Sequence, residues 1–237
     1  MDAYKKLYDD IADRKGEQYD VNGYTGGNGR IDRAVKIIPE LEIRFNKKFN
    51  SVVDVGGATG NLGYALKDIC KKRYTVDISS ACEIPAQCKG NEFVLSNVDV
   101  EGIKLSDESC DLVVALDFIE HILNPEFFAE ECYRILKFGG VVLINTPNIQ
   151  FWKHLESLIV HGKFPHTSGD KEVYHGGHVA FYNFNDMKTI FSSVGFTNCN
   201  METMFLDPIA PPPLWTSISS VDKKQLLYGD LIFTCQK

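Results

Sequence analysis

The chain has 237 residues, 44% of them hydrophobic and 24% charged, which suits a single soluble α/β unit with one sizeable core. Its formal net charge is −7 and its pI about 5.4, with no dense Lys/Arg cluster, so a nucleic-acid partner is not expected. No stretch approaches the ~20 apolar residues that span a bilayer, and no apolar run follows Met1 to Lys6, so neither a membrane span nor a signal peptide is expected.

Residues 1–50 read as a mostly helical N-terminal cap. Ile31, Val35, Ile38, Leu41 and Phe45 keep a helical period after a glycine-rich break at Gly23 to Gly29, and Pro39 predicts a kink or two short helices. Residues 51–237 read as a second unit in which strands and helices alternate. Ser51 to Val55 is a short apolar strand ending in glycines. A helix follows from Asn61 to Lys71, with Leu62, Leu66 and Ile69 on one face. Tyr74 to Asp77, Glu92 to Leu95 and Asp111 to Asp117 are the next strands.

Pro125 to Lys137 reads as a helix with proline in its first turn and Gly139-Gly140 as its stop. Val141 to Asn145 is a fifth strand. A helix from Asn185 to Val194 takes Asn183 or Asn185 as its cap and Gly195 as its end. A proline-rich insertion at 207–228 precedes a closing strand, Asp230 to Cys235. Such alternation implies a mostly parallel sheet covered on both faces, with ligands at the carboxyl ends of the strands. The seven cysteines (Cys70, Cys82, Cys88, Cys110, Cys132, Cys199 and Cys235) are scattered, without Cys-x-x-Cys, and read as reduced thiols of a cytoplasmic protein.

Chemistry concentrates at Asp54-Val55-Gly56-Gly57-Ala58-Thr59-Gly60. Gly56, Gly57 and Gly60 permit a tight turn and close backbone approach. Dinucleotide enzymes also carry glycines here, but Gly56, Gly57, Gly60 and Gly63 do not fit Gly-x-Gly-x-x-Gly. Asp54 beside them would repel a pyrophosphate. A sulfonium or ammonium would be attracted instead, which favours S-adenosylmethionine over NAD. Asp77, at the end of the second strand, can accept hydrogen bonds from ribose hydroxyls, or cap the turn at Ser79 and Ser80. Asp99 can accept from an adenine amino group, with the Val100 amide facing a ring nitrogen; a plain turn aspartate is the alternative. Asp117, after Leu116, can line the far end of the ligand. Glu120-His121 reads first as structural.

With these residues in order, the sequence resembles the Rossmann-like S-adenosylmethionine-dependent methyltransferase superfamily. Asp54-x-Gly56-x-x-x-Gly60 is similar to its first motif and Val76-Asp77-Ile78-Ser79 to its second. Asp111 to His121 resembles the fourth-strand motif of ubiquinone-biosynthesis O-methyltransferases. Arg134-Ile135-Leu136-Lys137-Phe138-Gly139-Gly140 and Thr146-Pro147-Asn148 are similar to the segments around strand five. Pro147 to Trp152, Gly162 to Pro165 and Gly177 to Tyr182 resemble methionine-biosynthesis W-type proteins and the same subgroup. Ala58 departs from a frequent glycine and Phe138 from the usual proline, the latter bearing only on the helix stop.

The resemblance implies seven strands in the order 3-2-1-4-5-7-6, the last antiparallel. It also implies that S-adenosylmethionine binds at Asp54, Gly56, Gly57, Ala58, Gly60, Asp77, Ile78, Asp99, Val100, Leu116 and Asp117. An arginine before the first motif would meet its carboxylate, Arg30 first and Arg33 second. The reaction implied is in-line methyl transfer to an oxygen or nitrogen of a small molecule, leaving S-adenosylhomocysteine. Should a base be used, His178 ranks first, from the loop Tyr174-His175-Gly176-Gly177-His178, with His121 and His154 as further candidates. His175-x-x-His178, with His161 and His166 nearby, lacks the spacing and the carboxylates of a metal site, so no metal is expected. An NAD-dependent oxidoreductase and a non-catalytic binding module remain as other classes.

Overall fold

A computed structural model of the chain describes residues 29–167, 177–217 and 222–237. The expectations on residues 1–28 and on Tyr174, His175 and Gly176 lie outside the described residues.

Apolar side chains in the strands alternate between two faces, and that alternation builds the molecule. Val53, Val113, Ala115, Val142, Ile144, Leu231 and Phe233 face one way. Val52, Leu112, Val114, Val141, Leu143 and Ile232 face the other. Seven strands pair into one sheet: β1 (Ser51–Val55), β2 (Lys72–Asp77), β3 (Glu92–Leu95), β4 (Cys110–Leu116), β5 (Leu136–Pro147), β6 (Thr197–Glu202) and β7 (Asp230–Gln236). Their order is β3-β2-β1-β4-β5-β7-β6. The pairs among β1 to β5 are parallel, while β7 runs antiparallel to both β5 and β6. This is the order and direction the resemblance implied.

Helices cover both faces. On one side α1 (Arg30–Arg44) buries Ile31, Ala34, Ile37, Ile38 and Leu41, next to Leu62 of α2 (Asn61–Ala65). On the other, α5 (Pro125–Ile135) buries Phe128, Ala129, Cys132 and Ile135. Beside it α7 (Phe184–Val194) buries Met187 and Phe191. The shorter helices are α3 (Glu83–Cys88), α4 (Val98–Glu101), α6 (Trp152–Ile159), α8 (Pro213–Thr216) and α9 (Lys223–Leu226). Arg44 at the end of α1 pairs with Glu202 of β6, which also accepts from Thr234 Oγ1 at 2.7 Å.

Several boundaries differ from the sequence expectation. Pro39 sits inside a single continuous α1. It lacks one donor, but the burial of Ile31 to Leu41 along the same face holds the helix together. Helix α2 ends at Ala65 rather than Lys71, and the chain tightens into turns, Lys67 N–H to Tyr64 O at 3.2 Å and Ile69 N–H to Leu66 O at 3.0 Å. Helix α5 ends at Ile135, and Leu136 is already extended and paired with Cys110. Gly139 and Gly140 therefore do not stop the helix. They lie at a register shift within β5, Gly139 at φ 73°. Phe138, at the tip, is 85% exposed, and its carbonyl accepts from Lys47 Nζ at 2.7 Å. Of the two cap candidates for α7, Asn183 is used, in a capping box with Asp186. All seven cysteines are free. Among the described residues no helix is long and apolar enough to cross a membrane.

Candidate active site

Parallel register brings the carboxyl ends of the strands to one edge: Val55 pairs with Val76, Asp77 with Leu95, and Leu116 with Asn145. The order of the strands reverses at β1 and β4, where a crevice forms in sheets of this kind. The loop 56–60 leaves β1 there, tied to β2 by Gly56 N–H to Val76 O at 2.8 Å.

Packing explains the glycines of this corner. A Cβ on Gly57 would stand 2.5 Å from Asp54 Oδ2 and 2.9 Å from Thr75 Cγ2. Gly60 has φ 75°, and a Cβ there would press on Asn91 and on the α3 backbone at Ala86, 3.2 Å away. Ala58 is a non-glycine residue at positive φ, 44°.

Asp54 is 4% exposed. Burial, reinforced by the charge of Asp77, pushes its carboxyl up to about 7. Asp77 fastens the corner: one oxygen accepts from the Ala58 amide at 3.0 Å and the other from the Ser79 amide at 2.9 Å. Ile78 follows in the same turn. Asp99, in α4, accepts from the Leu123 and Asn124 amides at 2.9 and 3.1 Å, so it ties α4 to the start of α5. Val100 beside it is 58% exposed.

Asp117, just past Leu116, has φ 51°. Asn145 holds it twice: the Asn145 amide nitrogen donates to Asp117 Oδ1 at 2.7 Å, and the Asp117 N–H donates to Asn145 O at 2.8 Å. The other carboxylate oxygen pairs with Arg30. Arg33, the second candidate, is 2.7 Å from Asp230. Arg30 and Asp117 were both assigned to one end of the ligand from sequence, and the fold brings them together from segments far apart in the chain.

The turn Ile119–His121 follows. Glu120 is 1% exposed and accepts from Thr146 Oγ1 at 2.9 Å. Burial pushes its carboxyl up to about 7, against the lowering effect of its hydrogen bonds and of Arg30. The Glu120 carbonyl accepts from the Val179 and Ala180 amides at 2.8 and 3.2 Å, which brings His178 over this turn. The His121 and His178 rings meet edge to face, their centroids 4.8 Å apart. His178 Nδ1 is 2.8 Å from Thr167 Oγ1. His154, the third base candidate, places Nδ1 2.9 Å from Asn148 O, and burial lowers its pKa. That histidine braces the Asn148 loop.

Several contributors to the site were missed in the sequence. Asn145 follows the apolar run Val141 to Ile144 inside β5 and is 3% exposed, a polar residue in a buried position that could have flagged it. Asn91 donates to Gly60 O at 2.8 Å. Lys89 Nζ reaches Thr59 O at 2.9 Å, a cation at the corner that the loop itself does not contain.

A family model described as a methyltransferase domain matches residues 29–200. The chain belongs to this methyltransferase family. Malonyl-[acyl-carrier protein] O-methyltransferase 1 of Coxiella burnetii is 24% identical over 178 residues, covering 74% of this chain and 57% of that protein. The ubiquinone biosynthesis O-methyltransferase of Pseudomonas entomophila is 29% identical over 116 residues, covering 46% of this chain and 49% of that protein. The chain thus spans about half the length of these curated relatives. A solved S-adenosylmethionine-dependent methyltransferase of Thermotoga maritima shares the fold, with TM-score 0.62, 15% identity and 98% of each chain covered. The methyl donor the family implies is S-adenosylmethionine, and the residues present fit it. The corner offers the carboxylates of Asp54 and Asp77, and Arg30 with Asp117 offers one charge of each sign.

Proposed function

We propose that the protein is a methyltransferase that moves the methyl group of S-adenosylmethionine to an oxygen or nitrogen of a small-molecule acceptor, leaving S-adenosylhomocysteine. The observation that carries this reading is the charge at the glycine corner. Asp54 and Asp77 flank a close backbone turn, where burial first and the charge of Asp77 second make the Asp54 carboxyl costly to ionise. A pyrophosphate brought there would add to that repulsion, whereas a ligand bearing a sulfonium and an ammonium relieves it. The helix that follows, α2, has only five residues, too little aligned backbone to offset two acids for a dinucleotide.

When bound, S-adenosylmethionine supplies an electrophilic methyl on a sulfonium; the chain's task is to hold it in line with the acceptor. In this reading Asp77 accepts from the ribose hydroxyls, with Ile78 beside it. Asp99 meets the adenine, whereas the Val100 amide expected from sequence to join it donates to Asn97 O at 3.1 Å instead. Gly56, Gly57, Ala58 and Gly60 form the floor, and Leu116 lines it. The Arg30–Asp117 pair complements the amino-acid end, arginine toward the carboxylate and aspartate toward the ammonium. In the same reading His178, or else His121, takes a proton from an acceptor hydroxyl. The two sequence relatives described above are named O-methyltransferases, which supports an oxygen acceptor.

The test is turnover of methyl-labelled S-adenosylmethionine with a panel of hydroxylated aromatic, carboxylic and amine acceptors, read as S-adenosylhomocysteine formed. Label in an acceptor product supports the reading. A protein that binds the donor but labels none of the three classes would contradict the small-molecule assignment.

A further inference from the structure

We infer that Glu120, His121 and His178 form a binding site for one divalent ion of the zinc type, beside the proposed methyl-transfer cleft. The three side chains offer one carboxylate oxygen and two imidazole nitrogens, and these ligand atoms all lie within 4.8 Å of one another. Ideal tetrahedral or octahedral ligation at ~2.0–2.2 Å needs them to close up further, which rotation of the two rings can supply.

Three features point to an ion rather than to a chance cluster. First, Glu120 is 1% exposed, and its Oε1 has no hydrogen-bond partner among the described residues, while Oε2 is held by Thr146. A buried carboxylate oxygen left in this way is costly, and a bound cation relieves that cost while keeping the carboxylate ionised. Second, the neighbours that would support such a site are in place. Thr167 Oγ1 engages His178 Nδ1 at 2.8 Å, which directs ligation to Nε2, and the Thr146 hydroxyl fixes the carboxylate. Third, the two histidines come from different loops locked together by the Val179 and Ala180 amides on the Glu120 carbonyl. The site is therefore built by the fold, not by a flexible strand of neighbours.

The donor set selects the ion. Two imidazoles and one carboxylate suit zinc, manganese, cobalt or iron(II), whereas magnesium and calcium prefer oxygen throughout. Three protein ligands leave at least one coordination position open. If the methyl-transfer reading holds, that position suits an oxygen of the acceptor, which would select hydroxyl-bearing substrates, and the ion rather than either histidine as a base would then activate the hydroxyl. The ion site itself does not depend on that reading.

The test uses the full chain stripped of metal and without methyl donor. Zinc is titrated in competition with a chromogenic chelator, and cobalt is followed by its visible absorption. One equivalent should bind. His178→Ala and His121→Ala should each weaken binding at least ~100-fold, the upper end of what loss of a supporting partner alone costs. Glu120→Gln should do the same, and the histidine variants keep the test sound if that buried substitution unfolds the chain. Replacing His161 and His166 together with alanine should leave affinity unchanged. No saturable binding of zinc, cobalt or manganese would overturn the inference, leaving a carboxyl–imidazole cluster. So would affinity that survives His178→Ala, or that disappears with His161 and His166. S-adenosylhomocysteine binding by the same samples separates failure of the ion site from failure of the methyl-transfer reading.

Discussion

At the scale of single residues, Asp54 and Ala58 carry opposite kinds of cost. Asp54 has its carboxyl raised from 3.8 to about 7 by burial and by Asp77. Between those values the folded chain keeps a proton that the unfolded chain has released. The stability this group contributes is full below the window and is lost as pH rises through it. Asp54→Asn, which stays neutral, should flatten that fall, so its denaturation midpoint should exceed that of the natural protein more at about pH 8 than at about pH 5. An equal offset at both would show that Asp54 does not titrate in this range. Ala58 has φ 44°, where an L side chain costs about 1–2 kcal/mol. Allowing for the entropy of glycine, Ala58→Gly should stabilise the fold by roughly 0.5–1 kcal/mol in urea unfolding. A destabilised variant would show that the methyl group packs to advantage. Asp54 and the glycines follow one another at the end of β1 and Asp77 ends β2, so their placement at strand ends was legible in sequence. Asn145, Asn91 and Lys89 were not. Each acts across a strand register or a helix packing that no local pattern records.

At the scale of elements, Arg134 shows what the segment before β5 does. Its guanidinium meets Glu131 through Nε and Nη2 at 2.8 Å each. It also meets Asp107 and the carbonyls of Leu105 and Ile103, all at 2.7 Å. The end of α5 is thereby pinned to the loop that leads into β4. Arg134→Ala should cost roughly 1.5–3 kcal/mol, as charged hydrogen bonds do. Arg134→Lys should recover only part of that, because an ammonium cannot reproduce the planar fork. Full recovery by lysine in chemical denaturation would reduce the role to charge alone. Strand positions were readable from apolar runs, and β1 and β3 match their expected residues. The ends of α2 and α5 were not. Helical periodicity continues through Ile69, but the chain tightens into three-residue turns after Ala65; at the end of α5, pairing of Leu136 with Cys110 draws the chain into β5 before Lys137. Tertiary pairing overrode local propensity there.

At the scale of the whole molecule, the two-faced sheet fixes where chemistry can occur. Helices bury both faces, so the strand ends are what remain to bind a ligand, and five parallel strands aim theirs at one edge. The anionic corner at Asp54 and Asp77 and the Arg30–Asp117 pair both lie on that edge. This edge should accept a cationic nucleoside ligand and reject a pyrophosphate. That expectation is tested most directly by calorimetric titration of S-adenosylhomocysteine and of NAD into the chain, repeated with Asp77→Ala. S-adenosylhomocysteine should bind saturably and NAD not at all, and affinity should be at least ~10-fold weaker in the variant, for the loss of hydrogen bonds to a charged group. Binding of NAD in preference to S-adenosylhomocysteine, or S-adenosylhomocysteine affinity that Asp77→Ala leaves unchanged, would contradict it.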